Sequence, residues 1–209
     1  MLKIKKIDLG KPNLTPNFIG SWMIETSLCE DIIVNFENNE KKHCQGVSAS
    51  GLDLEIKNRL DRSISPKELA LPENKIYREY FQSLFECYKE YNLQWPFLKS
   101  FVNELDIGKF NIGKYMPGQH FQKIHCERSG IETLHRVFAF MTYLNDVKEG
   151  GSTYFSHYDL DIKPQKGLTL LWPAEWTHSH KGNILKSGLK YIITGWLTFP
   201  NYKKDIQYK

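Results

Sequence analysis

The chain has 209 residues, a formal net charge of +4 and 41% hydrophobic residues, enough for one domain with a buried core. Its apolar runs fall short of the roughly 18 to 20 residues a spanning helix needs, and the opening MLKIKKIDLG lacks the apolar stretch of a signal peptide, so a cytoplasmic location without a membrane partner is expected. The modest charge, with lysines near both ends (Lys3, Lys5, Lys6, Lys203, Lys204, Lys209), argues against a nucleic-acid groove, and Cys29, Cys44, Cys87 and Cys126 form no C-x-x-C pair that would suggest zinc or a disulfide framework.

In TSLCEDIIVNFENN, Ser27 precedes Glu30 at capping-box spacing, and Ile32, Ile33 and Phe36 follow at helical intervals, which predicts a helix. The stretch KKHCQGVSASGLDLEIKNRLDRSIS reads as loop with a short strand at LDLEI. From Ser65-Pro66 the chain turns helical, placing Ile76, Tyr80, Phe81, Leu84, Phe85 and Tyr88 on one stripe until Trp95-Pro96 ends it. After residue 106 the pattern changes to short strands rich in β-branched and aromatic residues: KFNIGKY, FQKIHCE, RVFAFMTYLN, STYF, LDIKP, GLTLLW, WTHSHKG and LKYIITGWLTF. Gly150 and Gly151 read as turn formers between them. The expected fold is α+β, a single domain over 1–209 with a mainly helical supporting region at 1–106 and a double-stranded β-helix (jelly roll) core at 107–200.

His125 and Glu127 stand two apart in IHCERSG, so a strand through them aims both side chains to one side, with Cys126 pointing away. Two imidazoles and one carboxylate are the ligand set of an oxygen-activating iron. The second imidazole then comes from a distant strand, and WTHSHKG offers His178 and His180. His43, His120, His135 and His157 lack a partner at ligand spacing; of these only His120, on the loop toward His125, is placed to reach a substrate.

Tyr115 to Gly118 (Y-x-x-G), the H-x-carboxylate pair, RVFAFMTYLNDVKEGGSTYF and HKGNILKSGLKYIITGW together resemble the Fe(II)- and 2-oxoglutarate-dependent oxygenases, in particular the prolyl 4-hydroxylase branch and its phage-encoded members, over residues 107 to 198. The resemblance implies Fe(II) held by His125, Glu127 and His180, because His180, Gly182 and Lys190 match the family's spacing between distal histidine and cosubstrate-binding cation. His178, of the same strand parity, remains the alternative. Lys190 is then the partner of the far carboxylate of 2-oxoglutarate, although a lysine snorkelling from a strand end has the same sequence signature. Thr194, on the same face as Lys190, Ile192 and Trp196, is implied as a second donor to that carboxylate; Tyr115 and Tyr143 match cosubstrate-contacting positions, or are simply core tyrosines. Arg136 matches a basic residue at the family's substrate entrance, or is an exposed strand-end charge.

The implied reaction hydroxylates an aliphatic C–H, with a prolyl residue in a protein or peptide as substrate, dioxygen as co-reactant and ascorbate as auxiliary reductant, in a host cytoplasm if the gene is phage-borne. Two departures stand out. Glu127 occupies a position where most members carry aspartate, as in phage-type relatives with H-x-E, and Ile124 is an extra residue that a β-bulge would absorb. A jelly-roll binding module that has lost iron, and the same chemistry on a nucleobase or small molecule, are the rival readings.

Overall fold

The computed structural model describes residues 17–48, 51–102 and 104–200; the terminal lysines named above lie outside them. In chain order the elements are β1 (Gly20–Met23), α1 (Thr26–Glu37), β2 (Cys44–Gln45), β3 (Lys57–Asn58), β4 (Leu60–Ile64), α2 (Lys75–Gln94), α3 (Leu98–Phe101), β5 (Asp106–Ile107), β6 (Phe110–Tyr115), β7 (His120–His125), β8 (Arg136–Tyr143), β9 (Thr153–Phe155), β10 (Leu160–Ile162), β11 (Leu168–Pro173), β12 (His180–Gly182) and β13 (Lys190–Thr198). An eight-stranded sheet runs β1-β11-β8-β13-β6-β4-β2 with β5 against β13, and a five-stranded sheet runs β10-β9-β12-β7-β3. Every pairing is antiparallel, which with two facing sheets makes the expected jelly roll.

Period-two alternation along the central strands creates the layers. On β8, Phe138 and Phe140 face a core shared with the helices, while Ala139, Met141 and Tyr143 face the core between the sheets. On β13, Tyr191, Ile193 and Leu197 take the helical side, and Ile192 and Trp196 the inner side. The helical layer supplies Cys29, Ile32 and Phe36 from α1 and Tyr77, Tyr80, Phe81, Leu84 and Tyr91 from α2. Each fully buried aliphatic or phenyl group of this kind contributes roughly 1.5 to 3 kcal/mol. The stripe expected on α2 is therefore present, turned so that Tyr77 and Tyr91 are buried while Ile76, Phe85 and Tyr88 pack at its margin.

The first hundred residues give more than helices. β1 pairs with β11, β4 with β6 and β3 with β7, so strands from both sides of residue 106 share both sheets. Arg62 on β4 ties them to the helices, donating to Asn35 Oδ1 at 2.6 Å and to the Tyr77 hydroxyl at 3.2 Å.

Three local expectations are corrected. α1 begins after an extended Glu25 with no side-chain cap, so the Ser27–Glu30 spacing forms no capping box. The box forms instead at Ser65 and Glu68, where the Glu68 carboxylate accepts from the Ser65 backbone N–H and hydroxyl, each at 2.7 Å. LDLEI does not pair: residues 54–56 turn, and the strands lie just beyond, at β3 and β4, where the chain can reach β7 and β6. WTHSHKG is not one strand either, because Trp176–His178 is a turn of 3-10 helix before β12. The parity shared by His178 and His180 in the sequence is thereby broken.

Candidate active site

The two strands that carry the histidines are neighbours in the smaller sheet. His180 on β12 sits directly opposite His125 on β7, with ring centroids 4.5 Å apart. Between Gly182 and His180 on β12, β7 advances from Phe121 to His125, a register irregularity within which the exposed Ile124 lies. Glu127 lies just beyond β7, where the chain bends back toward the cavity.

Both rings are oriented by backbone carbonyls. His125 Nδ1 donates to Lys123 O at 2.8 Å, and His180 Nδ1 donates to His178 O at 2.9 Å. With protons on Nδ1, the Nε2 lone pairs are free and both turn to Glu127 Oε1, 3.8 Å from His125 and 3.4 Å from His180. Phe121 stacks on His125 at 3.9 Å, and Phe155 and Trp172 flank His180. Burial, reinforced by the neighbouring His180, pushes the His125 pKa down to about 4, so the ring is neutral at neutral pH. Burial opposes ionisation of Glu127, but the contact with His180 and the Trp196 indole N–H hold its carboxyl below the usual carboxylate range. One ligand atom from each residue falls within 4.8 Å of the others. Two imidazole nitrogens and a carboxylate oxygen beside an open cavity fit Fe(II) in donor chemistry and in the side left open.

The cavity, of about 710 Å³, lies between the sheets and is lined by His125, Glu127 and His180 on one wall and by Tyr115, Lys190, Ile192, Thr194 and Trp196 on the other. Lys190 and Tyr115 are cross-strand partners, the ammonium 4.0 Å from the phenol ring centroid. Lys190 is 2% exposed, which excludes the snorkelling alternative, and donates to Gly151 O at 2.8 Å. Burial, reinforced by Arg59, pushes its pKa down to about 7. Gly150 and Gly151 both adopt positive φ, 77° and 68°, as their turn requires.

Other expected site residues stand differently. The Thr194 hydroxyl donates to Phe140 O at 3.0 Å, so its proton is already engaged. Tyr143 lies outside the cavity lining, its hydroxyl bonded to Thr153 Oγ1 at 2.7 Å and Ile162 O at 3.1 Å. Arg136 lines the cavity, but its guanidinium stacks 3.6 Å from the Trp196 ring centroid and Nη1 donates to Glu127 O at 2.8 Å. His178 is buried, with Nε2 2.8 Å from Asn17 O, and meets the site only through the carbonyl that orients His180. His120 is buried on β7 outside the cavity lining.

Four side chains that sequence reasoning passed over belong here. Trp196 Nε1 donates to Glu127 Oε2 at 2.7 Å. Lys57 Nζ lies 2.7 Å from Asp61 Oδ2, Arg59 Nε lies 2.6 Å from Asp61 Oδ1, and all three residues are buried in the cavity wall. Their signal was visible as charges at alternate positions in KNRLDR, unusual for a strand region unless they pair with one another inside.

Residues 110–198 match the family model described as the 2OG-Fe(II) oxygenase superfamily, whose members use Fe(II) and 2-oxoglutarate. The chain is 30% identical over 114 residues to a probable prolyl 4-hydroxylase 9 of Arabidopsis thaliana, a match covering 42% of this chain and 40% of that protein. The chain thus spans less than half the length of this curated relative. Among solved structures it resembles a viral collagen prolyl hydroxylase from Paramecium bursaria Chlorella virus-1 in its 2-oxoglutarate complex (TM-score 0.64, 16% identity, 88% of this chain and 96% of that one). It also resembles a Pseudomonas putida prolyl-4-hydroxylase (TM-score 0.65, 14% identity, 88% and 93%), and at these identities both likenesses speak to the fold. The stretch that matches the 2OG-Fe(II) oxygenase superfamily model, residues 110–198, contains the strands that build most of this cavity.

Proposed function

We propose that this protein is an Fe(II)- and 2-oxoglutarate-dependent oxygenase that hydroxylates an aliphatic C–H, with a prolyl residue of a protein or peptide as substrate. The observation that carries the reading is the convergence of His125 Nε2, His180 Nε2 and Glu127 Oε1 in a cavity whose opposite wall holds the buried Lys190 ammonium. The prolyl substrate is supported by the sequence likeness to a plant prolyl 4-hydroxylase and by the fold shared with other prolyl hydroxylases.

In this reading His125, Glu127 and His180 hold the iron, and Lys190 meets the far carboxylate of 2-oxoglutarate. Iron and cosubstrate supply the oxidation when bound, turning 2-oxoglutarate and dioxygen into succinate and carbon dioxide as the C–H becomes C–OH. The Lys123 and His178 carbonyls keep both imidazoles in the tautomer that presents Nε2. Trp196 and Arg136 hold Glu127 from behind through its Oε2 and its backbone oxygen. Met141, Trp172 and Ile192 keep this part of the cavity wall apolar. Tyr115 faces the same carboxylate as Lys190, while Tyr143 acts at one remove by holding Thr153, which lines the cavity. The four cysteines are free, which suits a reducing compartment such as the cytoplasm. Among the described residues no helix is long and apolar enough to cross a membrane.

The test is conversion of 2-oxoglutarate to succinate with Fe(II) and ascorbate, comparing the parent with Glu127→Ala and His180→Ala, followed by mass spectrometry of proline-containing peptides for the gain of one oxygen. Equal turnover in all three proteins defeats the reading.

A further inference from the structure

The Tyr115 phenol is approached from two sides. Arg59 Nη1 donates to its oxygen at 2.7 Å, and the Lys190 ammonium lies over its ring. Arg59 comes from the single-residue link between β3 and β4, is 3% exposed, and is gripped at Nε by Asp61 Oδ1. A phenol oxygen that accepts from a guanidinium sends its own proton elsewhere. Among the described residues that proton meets no acceptor, so Tyr115 presents an unused O–H donor within the cavity lining.

The charge balance points the same way. Asp61 is shared between Arg59 and Lys57, whereas the Lys190 ammonium, over the Tyr115 ring and bonded to the Gly151 carbonyl, has no carboxylate partner among the described residues. Lys57, Arg59 and Lys190 thus have one ion-paired carboxylate between them, Asp61, while Glu127 in the same cavity faces the histidines and Trp196, an arrangement that leaves room for an added anion beside Lys190.

Building on the oxygenase reading, we propose that Arg59, clamped by Asp61, is a positioning residue that fixes the Tyr115 hydroxyl as a second donor to the carboxylate that Lys190 pairs with. It acts through Tyr115. The planar guanidinium serves Asp61 from Nε and Tyr115 from Nη1 at once, which the single ammonium of a lysine cannot reproduce. Thr194, whose proton goes to Phe140 O, is replaced in this role by a residue held from the N-terminal half of the chain.

The test uses the full chain loaded with Mn(II), which avoids turnover, and titrated calorimetrically with 2-oxoglutarate and separately with oxalate, which offers the chelating end without a far carboxylate. Arg59→Gln and Tyr115→Phe are each expected to weaken 2-oxoglutarate binding roughly tenfold, the scale of one hydrogen bond to a charged group, with oxalate unchanged. The double variant should bind no more weakly than Tyr115→Phe alone. Arg59→Lys, which keeps a charge beside Asp61, should show the same selective loss and stands in if Arg59→Gln does not fold. Equal losses for both acids, additive losses in the double variant, or full 2-oxoglutarate affinity in Arg59→Lys would each overturn the proposal while leaving the oxygenase reading intact. A parent protein that binds oxalate and not 2-oxoglutarate would remove both.

Discussion

The indole of Trp196 holds the carboxylate of Glu127: Nε1 donates to Oε2 at 2.7 Å, and Oε1 is left facing His125 and His180. A glutamate has one more rotatable bond than the aspartate usual in this family, so its head group needs an external restraint before it can serve as a preset ligand. Arg136 reinforces the restraint by stacking on Trp196 and by binding the Glu127 carbonyl.

Removing that indole donor should therefore weaken metal binding without unfolding the protein. Trp196→Phe is expected to reduce Mn(II) or Fe(II) affinity by about 10- to 100-fold, the range for loss of a hydrogen bond behind a ligand. Isothermal titration with the metal measures it, alongside a melting curve; unchanged metal affinity would show that Glu127 is fixed by other contacts.

Shortening the ligand should also hurt, even though aspartate is the common family residue. The register irregularity before His125 and the bend after β7 set the Glu127 backbone where its longer side chain reaches both Trp196 Nε1 and the histidines. Glu127→Asp is expected to bind metal more weakly than the parent in the same titration. A tighter site would mean that the register irregularity does not compensate for the added methylene.

Lys190 gives a pH signature. Its pKa is lowered from 10.5 to about 7 by burial, so the unfolded chain binds the extra proton between these values and stability rises with pH across that window. Each unit of depression is worth about 1.4 kcal/mol before relaxation. Without cosubstrate, Lys190→Met should melt higher than the parent near neutral pH, with the gap closing toward pH 10. Anion binding needs the charged form, so parental 2-oxoglutarate affinity should fall as pH rises above about 7, and Lys190→Met should bind weakly with a flat profile. Calorimetry across pH reads both; a flat parental profile would show that the amine stays charged throughout.

Gly151 has φ of 68°, and a methyl group there would sit 3.1 Å from Lys190 Cδ. Gly151→Ala should cost about 1 to 2 kcal/mol from the left-handed backbone alone, measured by denaturant unfolding. It should also weaken 2-oxoglutarate more than oxalate, because the displaced neighbour is the lysine stem and not the metal wall. Wild-type stability and binding in this variant would mean that the loop shifts freely.

The sequence by itself determined the donor types and the local parity. Alternation places Lys190, Ile192, Thr194 and Trp196 on one side of β13, and the turn between strands needs Gly150 and Gly151, because these follow from bonds within a few residues. Only the tertiary structure separated His180 from His178, took Tyr143 out of the cavity, engaged the Thr194 proton at Phe140 and brought Arg59 to Tyr115. Each of those outcomes depends on strands far apart in sequence pairing in a particular register, such as β12 on β7 and β4 on β6. That register is set by the packing of the whole domain, which no local pattern of residues encodes.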